Sequence, residues 1–265
     1  MDLSISIIST NEKHFLDVLL PQIPDVALEL DFEVILIDNA SGDGTSELAK
    51  QFQFVKIIRN DTKQFFSFNH NMAIKKSSGK YILLLNPDIC FDTSEPCLKK
   101  MFDFMESRPD CGISGSRVYN FDKKFAYPAR RYQTLSIAVG RRIPILHSKR
   151  AIDKYLYKES DIQSSFEADW LSGCFLFIRK SMLDNTGLLD AGFEKYFEDV
   201  DICRRAHATG WKVLYYGGTF YYHLEQRASK RILSKDAIKH FNSWLRWKRK
   251  QKYYCEMEEA FKKVQ

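Results

Sequence analysis

The first third of the chain alternates continuous apolar runs with segments of helical spacing, and that rhythm narrows the possible folds more than any other feature. Leu3–Ser9, Phe32–Asp38 (FEVILID), Phe54–Arg59 and Lys80–Leu85 (KYILLL) are short and rich in Ile, Leu and Val. Lys13–Leu30, Asp43–Phe52 and Phe66–Lys76 lie between them with helix-like patterning. Strands with no polar face need cover on both sides, so the pattern predicts an α/β fold: a mostly parallel sheet with helices on both faces. Such sheets bind ligands where the carboxyl ends of strands meet their loops. Here those ends read Ser9–Thr10–Asn11, Asp38–Asn39, Arg59–Asn60 and Asn86–Pro87–Asp88, and all are polar.

Regularity lapses over residues 120–166. Tyr127–Pro128–Ala129–Arg130–Arg131 is followed there by Arg141, Arg142, Lys149 and Arg150. A long, partly mobile basic loop with at most a short helix is expected. Trp170–Ile178 predicts a strand, Asp199–Thr209 a helix, and Lys212–Tyr216 and Thr219–Tyr222 two short strands. From Ser234 the chain reads as an amphipathic helical tail with Phe241, Trp244, Leu245 and Trp247 in its middle. The expected division is one globular domain over residues 1–233 and a basic tail over 234–265.

A chain of 265 residues that is 45% hydrophobic can bury one large core, with or without a small appendage. The 14% of aromatic residues serves chiefly as core material. The net charge of +6 is unevenly placed: Arg227 to Lys252 holds ten Lys or Arg against Asp236 alone. Such a block suits a phosphorylated substrate, a phospholipid surface or nucleic acid, or forms a solvated helix face. The six cysteines include no CxxC pair, no secretory signal opens the chain, and no apolar run has membrane-spanning length. A reduced, cytoplasmic setting is expected.

Four acid-bearing or histidine-bearing points carry chemistry. Asp38 ends a strand and precedes a glycine-containing turn; its carboxylate either grips a nucleobase or ribose or caps its own turn, whereas Asp43 and Ser41 suit capping. Asp88 leaves the sheet after Pro87, where one carboxylate beside a diphosphate suits a hard cation such as Mg²⁺ or Mn²⁺. Glu198, Asp199 and Asp201 open a helix; capping uses one or two of them and leaves a carboxylate able to take a proton. Asp201, one turn inward, is expected to hold the helix or a nearby arginine. His223 follows Phe220-Tyr221-Tyr222 and by itself would be structural, like His14, His70, His147, His207 and His240.

Taken in order, Thr10–Asn11, VILIDNASGDGT, FSFNHNMAI, YILLLNPD, WLSGCFLFIRK, GLLDAGFEKYFEDVDICRRAHATGW and YYHLEQRASK resemble the family 2 inverting glycosyltransferases of GT-A (Rossmann-like) fold. Within these they are similar to the bacterial rhamnosyltransferase-like group, over Leu3 to Arg231. The resemblance implies that Thr10 and Asp38 hold the base and ribose, that Asn71 lines the donor pocket, and that Asn86–Pro87–Asp88 replaces the family's DxD motif. It makes Asp88 and His223 ligands of Mg²⁺ or Mn²⁺, Asp199 the catalytic base, and Arg130 or Arg131 a contact to the donor diphosphate. Glu198, Trp170 and Gly173 fall on the acceptor side. The glycine-rich run usual before the family's second helix is here Phe68-Asn69-His70-Asn71-Met72-Ala73, whose bulk weakens any inference about the sugar.

The implied activity is transfer of a sugar, L-rhamnose from dTDP-rhamnose as first choice and a UDP-sugar as the alternative. The implied acceptor is a saccharide or a lipid-diphosphate-linked saccharide in bacterial surface polysaccharide synthesis. With the basic tail this suggests contact with the anionic inner face of the membrane, against a tail that packs on protein. A nucleotidyltransferase would need a glycine-rich basic loop after Ser9, which is missing. A non-catalytic nucleotide-sugar-binding module would need a broken metal or base position, and Asp88, His223 and Asp199 all stand. A nucleic-acid partner would not explain the acidic strand ends.

Overall fold

The structure is a computed structural model that describes residues 1–134, 137, 148–224 and 235–264. Arg141, Arg142, Arg227, Lys230 and Arg231 lie outside the described residues. Strands β1 (Leu3–Ser9), β2 (Phe32–Asn39), β3 (Val55–Asn60) and β4 (Tyr81–Leu85) pair in parallel in the order β3–β2–β1–β4. They are joined by α1 (Lys13–Ala27), α2 (Thr45–Ala49) and α3 (Phe66–Lys76). Successive residues of a strand point to opposite faces, so each apolar run feeds two cores. Leu83 and Leu85 join Ile5, Ile7 and Leu36 on the side of α1, while Ile82 and Leu84 join Ile74 of α3 on the other.

The second half extends the sheet. β10 (Phe175–Arg179) runs antiparallel to both β4 and β6 (Cys111–Tyr119). β11 (Lys212–His223) lies parallel to β6, and β5 (Ile89–Cys90) and β8 (Phe166–Glu167) pair antiparallel with β11. A separate ribbon joins β7 (Ala129–Arg130) to β9 (Trp170–Leu171). The remaining helices are α4 (Cys97–Ser107), α5 (Lys149–Tyr155), α6 (Met182–Thr186), α7 (Glu198–Ala208), α8 (Lys235–Arg249) and α9 (Gln251–Val264).

Two expectations about elements change. Trp170–Ile178 is not one strand: β9 and β10 belong to different sheets, and the chain must turn at Ser172–Cys174 between them. Lys212–Tyr216 and Thr219–Tyr222 are instead one strand, whose register on β6 shifts between Tyr216 and Phe220. Gly217 and Gly218 occupy that irregularity, as bulges favour.

The tail forms two helices that pack on the rest of the chain. Trp247 and Tyr254 are buried in the core shared with α7. Asp201 is the fully buried post at this contact: its carboxylate accepts from Arg205 Nε at 2.8 Å, from Tyr254 Oη at 2.6 Å and from Lys250 Nζ. Asp190 adds bonds from Arg246 at 3.0 Å and Lys250 at 2.9 Å. No helix among the described residues is long and apolar enough to cross a membrane. Removing one member of a buried ion network strands the others, at a cost of about 3–5 kcal/mol. Asp201→Asn is therefore expected to lower unfolding stability by about that amount, measured by urea denaturation.

Candidate active site

The carboxyl ends of β1, β2 and β3 are tied together by amides. Asn39 Nδ2 donates to Thr10 Oγ1 at 3.1 Å, and Asn39 Oδ1 accepts from Asn60 Nδ2 at 3.0 Å and from the Gln64 amide at 2.8 Å. Asn60 Nδ2 also donates to the fully buried Asn69 at 2.7 Å. Thr10 therefore stands on the floor of this edge, where a nucleotide would rest in such a sheet.

Two residues expected in the donor pocket have their polar groups engaged inside the fold. Asp38 is fully buried, with one carboxylate oxygen accepting from the Ser41 amide at 2.9 Å and the other from Ser46 Oγ. Of its two possible roles, capping its own turn is the one the geometry displays. Asn71 makes a two-point clasp on the backbone of Leu189, donating to its carbonyl at 2.8 Å and accepting from its amide at 3.0 Å. Its amide thereby joins α3 to the segment before α7. Met72 packs beneath the sheet with Ile35 and Ile37, while Phe68 is exposed. His70 is structural as expected: burial pushes its ring down to about 3, and it pairs with Ser6 Oγ at 2.7 Å.

Asp88 and His223 meet because β5 pairs with the end of β11, with His223 opposite Ile89. His223 Nε2 lies 3.2 Å from Asp88 Oδ1. Burial works against a charge on His223, but the Cys174 sulfur and the Asp88 carboxylate outweigh it and push the imidazole up to about 11. Adjacent ligands of an octahedral ion, each at roughly 2.1 Å, are about 3 Å apart, so the pair fits two neighbouring positions on one divalent cation. Among the described residues no three His, Cys, Asp or Glu side chains gather as a metal cluster. Any such ion would draw its other ligands from water and the donor's phosphates.

One acid near this pair was not singled out from the sequence. Glu12 follows β1, accepts from the Thr10 amide at 3.1 Å, and is raised by burial and by the negative charge of Asp88. Its only sequence signal was its place immediately after the polar strand end Ser9–Thr10–Asn11.

Glu198 and Asp199 open α7 after Tyr196 and Phe197, which take φ of 71° and 73°. Left-handed backbone costs a non-glycine residue about 1–2 kcal/mol, and such strain marks functional segments held by their surroundings. Asp199 accepts from the Gly173 amide at 3.0 Å and from the Val200 amide at 2.9 Å. Burial raises its carboxyl above the ordinary range despite these two amides and the nearby Arg130. Glu198 is raised by burial and by Asp199, and its Oε2 is buried with no hydrogen-bond partner among the described residues.

The Ser172–Cys174 turn joins the two halves of the site. Its Gly173 amide holds Asp199, its Cys174 carbonyl accepts from the Asn86 amide at 2.9 Å, and its Cys174 sulfur contacts His223. Asp88 and Asp199, distant in sequence, thus reach one turn from its two sides. Arg130 stands on the Asp199 side, paired with Trp170 across β7–β9 and 4.9 Å above its ring. Arg131 instead binds Glu159 at 2.7 Å, and its carbonyl accepts from Trp170 Nε1 at 2.9 Å.

Residues 4–187 match the model of Glycosyl transferase family 2. The chain belongs to this family. Among its curated relatives, Rhamnosyltransferase WbbL of Escherichia coli K12 is 23% identical over 225 residues, covering 82% of this chain and 81% of that one. N-acetylglucosaminyl-diphospho-decaprenol L-rhamnosyltransferase of Mycobacterium tuberculosis is 25% identical, covering 72% and 66%. Of solved structures, S. aureus TarS 1-349 aligns with a TM-score of 0.59 at 16% identity, over 84% of this chain and 60% of that one. The mannosyltransferase PcManGT from Pyrobaculum calidifontis, in complex with GDP-Man and Mn²⁺, aligns at 0.58 with 13% identity, over 86% and 58%. The fold is that of GT-A glycosyltransferases, and this family 2 chain spans only about three fifths of the TarS and PcManGT chains.

In this glycosyltransferase Gly173 sits close against Asp199: a Cβ there would stand 3.3 Å from Asp199 Cβ and 3.4 Å from its Oδ2, a tight fit that Asp199 would have to relieve by shifting slightly. Gly173→Ala is expected to shift Asp199 slightly and lower turnover by up to about tenfold, less than a misplacement of about 1 Å would cost. Steady-state assay of nucleoside diphosphate release checks it.

Proposed function

We propose that the chain is a metal-dependent inverting glycosyltransferase that moves L-rhamnose from dTDP-rhamnose to a hydroxyl of a lipid-diphosphate-linked saccharide. The observation that carries it is the meeting of the Asp88–His223 pair and Asp199 at the Ser172–Cys174 turn. The rhamnosyltransferase names of its relatives support the sugar, and the M. tuberculosis relative's name supports the acceptor class. The GDP-Man and Mn²⁺ complex of PcManGT supports a divalent ion.

Asp199 accepts the proton of the acceptor hydroxyl as that oxygen attacks the anomeric carbon from the face opposite the leaving group. The new glycosidic bond forms as the bond to the diphosphate oxygen breaks, and its electron pair leaves with the nucleoside diphosphate. Asp88 and His223 would hold a Mg²⁺ or Mn²⁺ ion, which when bound supplies positive charge to the departing diphosphate. Thr10 and the Asn39–Asn60 amides position the nucleotide, Arg130 contacts the donor diphosphate, and Trp170 walls the acceptor side. The inversion follows from a single displacement, for which one base carboxylate suffices.

Asp199 must be ionised to act, and its carboxyl is raised, so turnover is expected to fall as pH drops through a value above the ordinary carboxylate range. Asp199→Asn is expected to keep metal-dependent donor binding while turnover falls by about 10²-fold or more. Asp88→Ala is expected to abolish the added thermal stabilisation that Mn²⁺ gives with dTDP. Near-normal turnover of Asp199→Asn would sink the base assignment. A second reading, a UDP-sugar donor, is favoured by the TarS complex with UDP-GlcNAc; release assays comparing dTDP-rhamnose with UDP-GlcNAc decide between them.

The lipid-linked acceptor gives the outer face of α8 a role. Ile238 and Phe241 are exposed there, and Lys239 of α8 lies over the exposed Phe65 just before α3. We read this apolar and basic face as resting on an anionic membrane surface. The full chain is expected to float with vesicles containing phosphatidylglycerol, and Ile238→Ser with Phe241→Ser to prevent it; equal flotation of the double variant would reject the contact.

A further inference from the structure

The strained segment in front of Asp199 is clamped from outside the region matched by the family model. Tyr196 and Phe197 each lie 5.2 Å, ring centroid to ring centroid, from His240 of α8. Phe197 also lies 6.0 Å from the buried Trp247, and Ser243 Oγ donates to the Lys195 carbonyl at 2.8 Å. Three residues of one helix face, spaced at 240, 243 and 247, thus meet three successive residues with the left-handed pair among them. Consecutive left-handed non-glycine residues persist only where neighbours over-determine them. Below the clamp, Lys250 and Arg246 fasten the end of α8 to Asp190.

We infer that His240, Ser243 and Trp247 of α8 are positioning residues for the reaction: they hold Lys195–Phe197 in the backbone geometry that presents Asp199 to the Gly173 amide. The inference rests on Asp199 being the base, as proposed above. The C-terminal helices then complete the active site from behind, although none of the three touches the reacting atoms. The charged and titratable groups facing Asp199 are Glu198 on its own helix and Arg130 from β7, with Cys203 one turn further along α7.

The test compares His240→Ala and Trp247→Ala in the full chain with the ring-preserving His240→Phe and Trp247→Phe. Hydrogen exchange at the Gly173 amide, which donates to Asp199, reads the position of the carboxylate without any substrate. Faster exchange at Gly173 is expected in the alanine variants and restoration in the phenylalanine variants. With dTDP-rhamnose as donor, kcat is expected to fall about ten- to a hundredfold while the donor KM holds. The acid limb of the kcat profile should move to lower pH, because a released carboxylate regains water and titrates nearer its ordinary value. If the ring variants do not fold, Ser243→Ala removes one hydrogen bond and should shift the same readouts in the same direction. Folded alanine variants with unchanged Gly173 exchange and unchanged kcat would overturn the clamp. Failure of the base assignment looks different: Asp199→Asn itself would then turn over normally.

Discussion

A carboxylate held half inside a protein needs hydrogen bonds that do not compete with its chemistry, and the backbone amide of Gly173 supplies one to Asp199. Much of the site follows from this contact. A side chain at 173 would sit tight against Asp199, which would have to give by a few tenths of an ångström, so glycine suits the closeness of turn and helix there. The turn that offers the amide is fixed in its turn by Asn86 on one flank and by the separate pairings of β9 and β10 on the other. The proton-accepting side and the diphosphate side are therefore built on the same few backbone atoms.

Charge is managed differently on the two sides. Asp88 faces His223, which matches its negative charge when protonated; a divalent cation bound there would take the place of that proton. Asp199 and Glu198 are adjacent acids in a buried place: burial raises both, and the charge of Asp199 makes ionisation of Glu198 harder still. One base and one neutral carboxyl is the arrangement such a pair favours near neutral pH. Further from the chemistry, Asp201 and Asp190 carry no catalytic burden; they neutralise Arg205, Arg246 and Lys250, and by doing so dock the last two helices.

Much of this was legible in the residues alone. β1 and α3 fall where periodicity placed them, Asp201 holds Arg205, and Asp43 caps its turn through Thr45. Asp38 and Asn71 show the limit. Each sits at a position where a polar side chain suits a ligand, but Ser41, Ser46 and the backbone of Leu189 take their hydrogen bonds first. Those partners lie three, eight and 118 residues away, and only the nearer ones leave a trace in local sequence. Arg130 and Arg131, neighbours of like charge, point to different partners because alternate residues of a ribbon face opposite ways.

The sequence by itself determined the alternating sheet and helices, the polar strand ends, and the identity of the acids and histidine available for chemistry. These depend on local periodicity and residue type, which every short window of the chain carries. Only the tertiary structure decided that Asp88 pairs with His223, that Asp199 leans on Gly173, and that α8 lies against the strained residues before it. Each of those is a long-range contact set by strand order and helix packing, and its energy appears only once the separate segments are buried together.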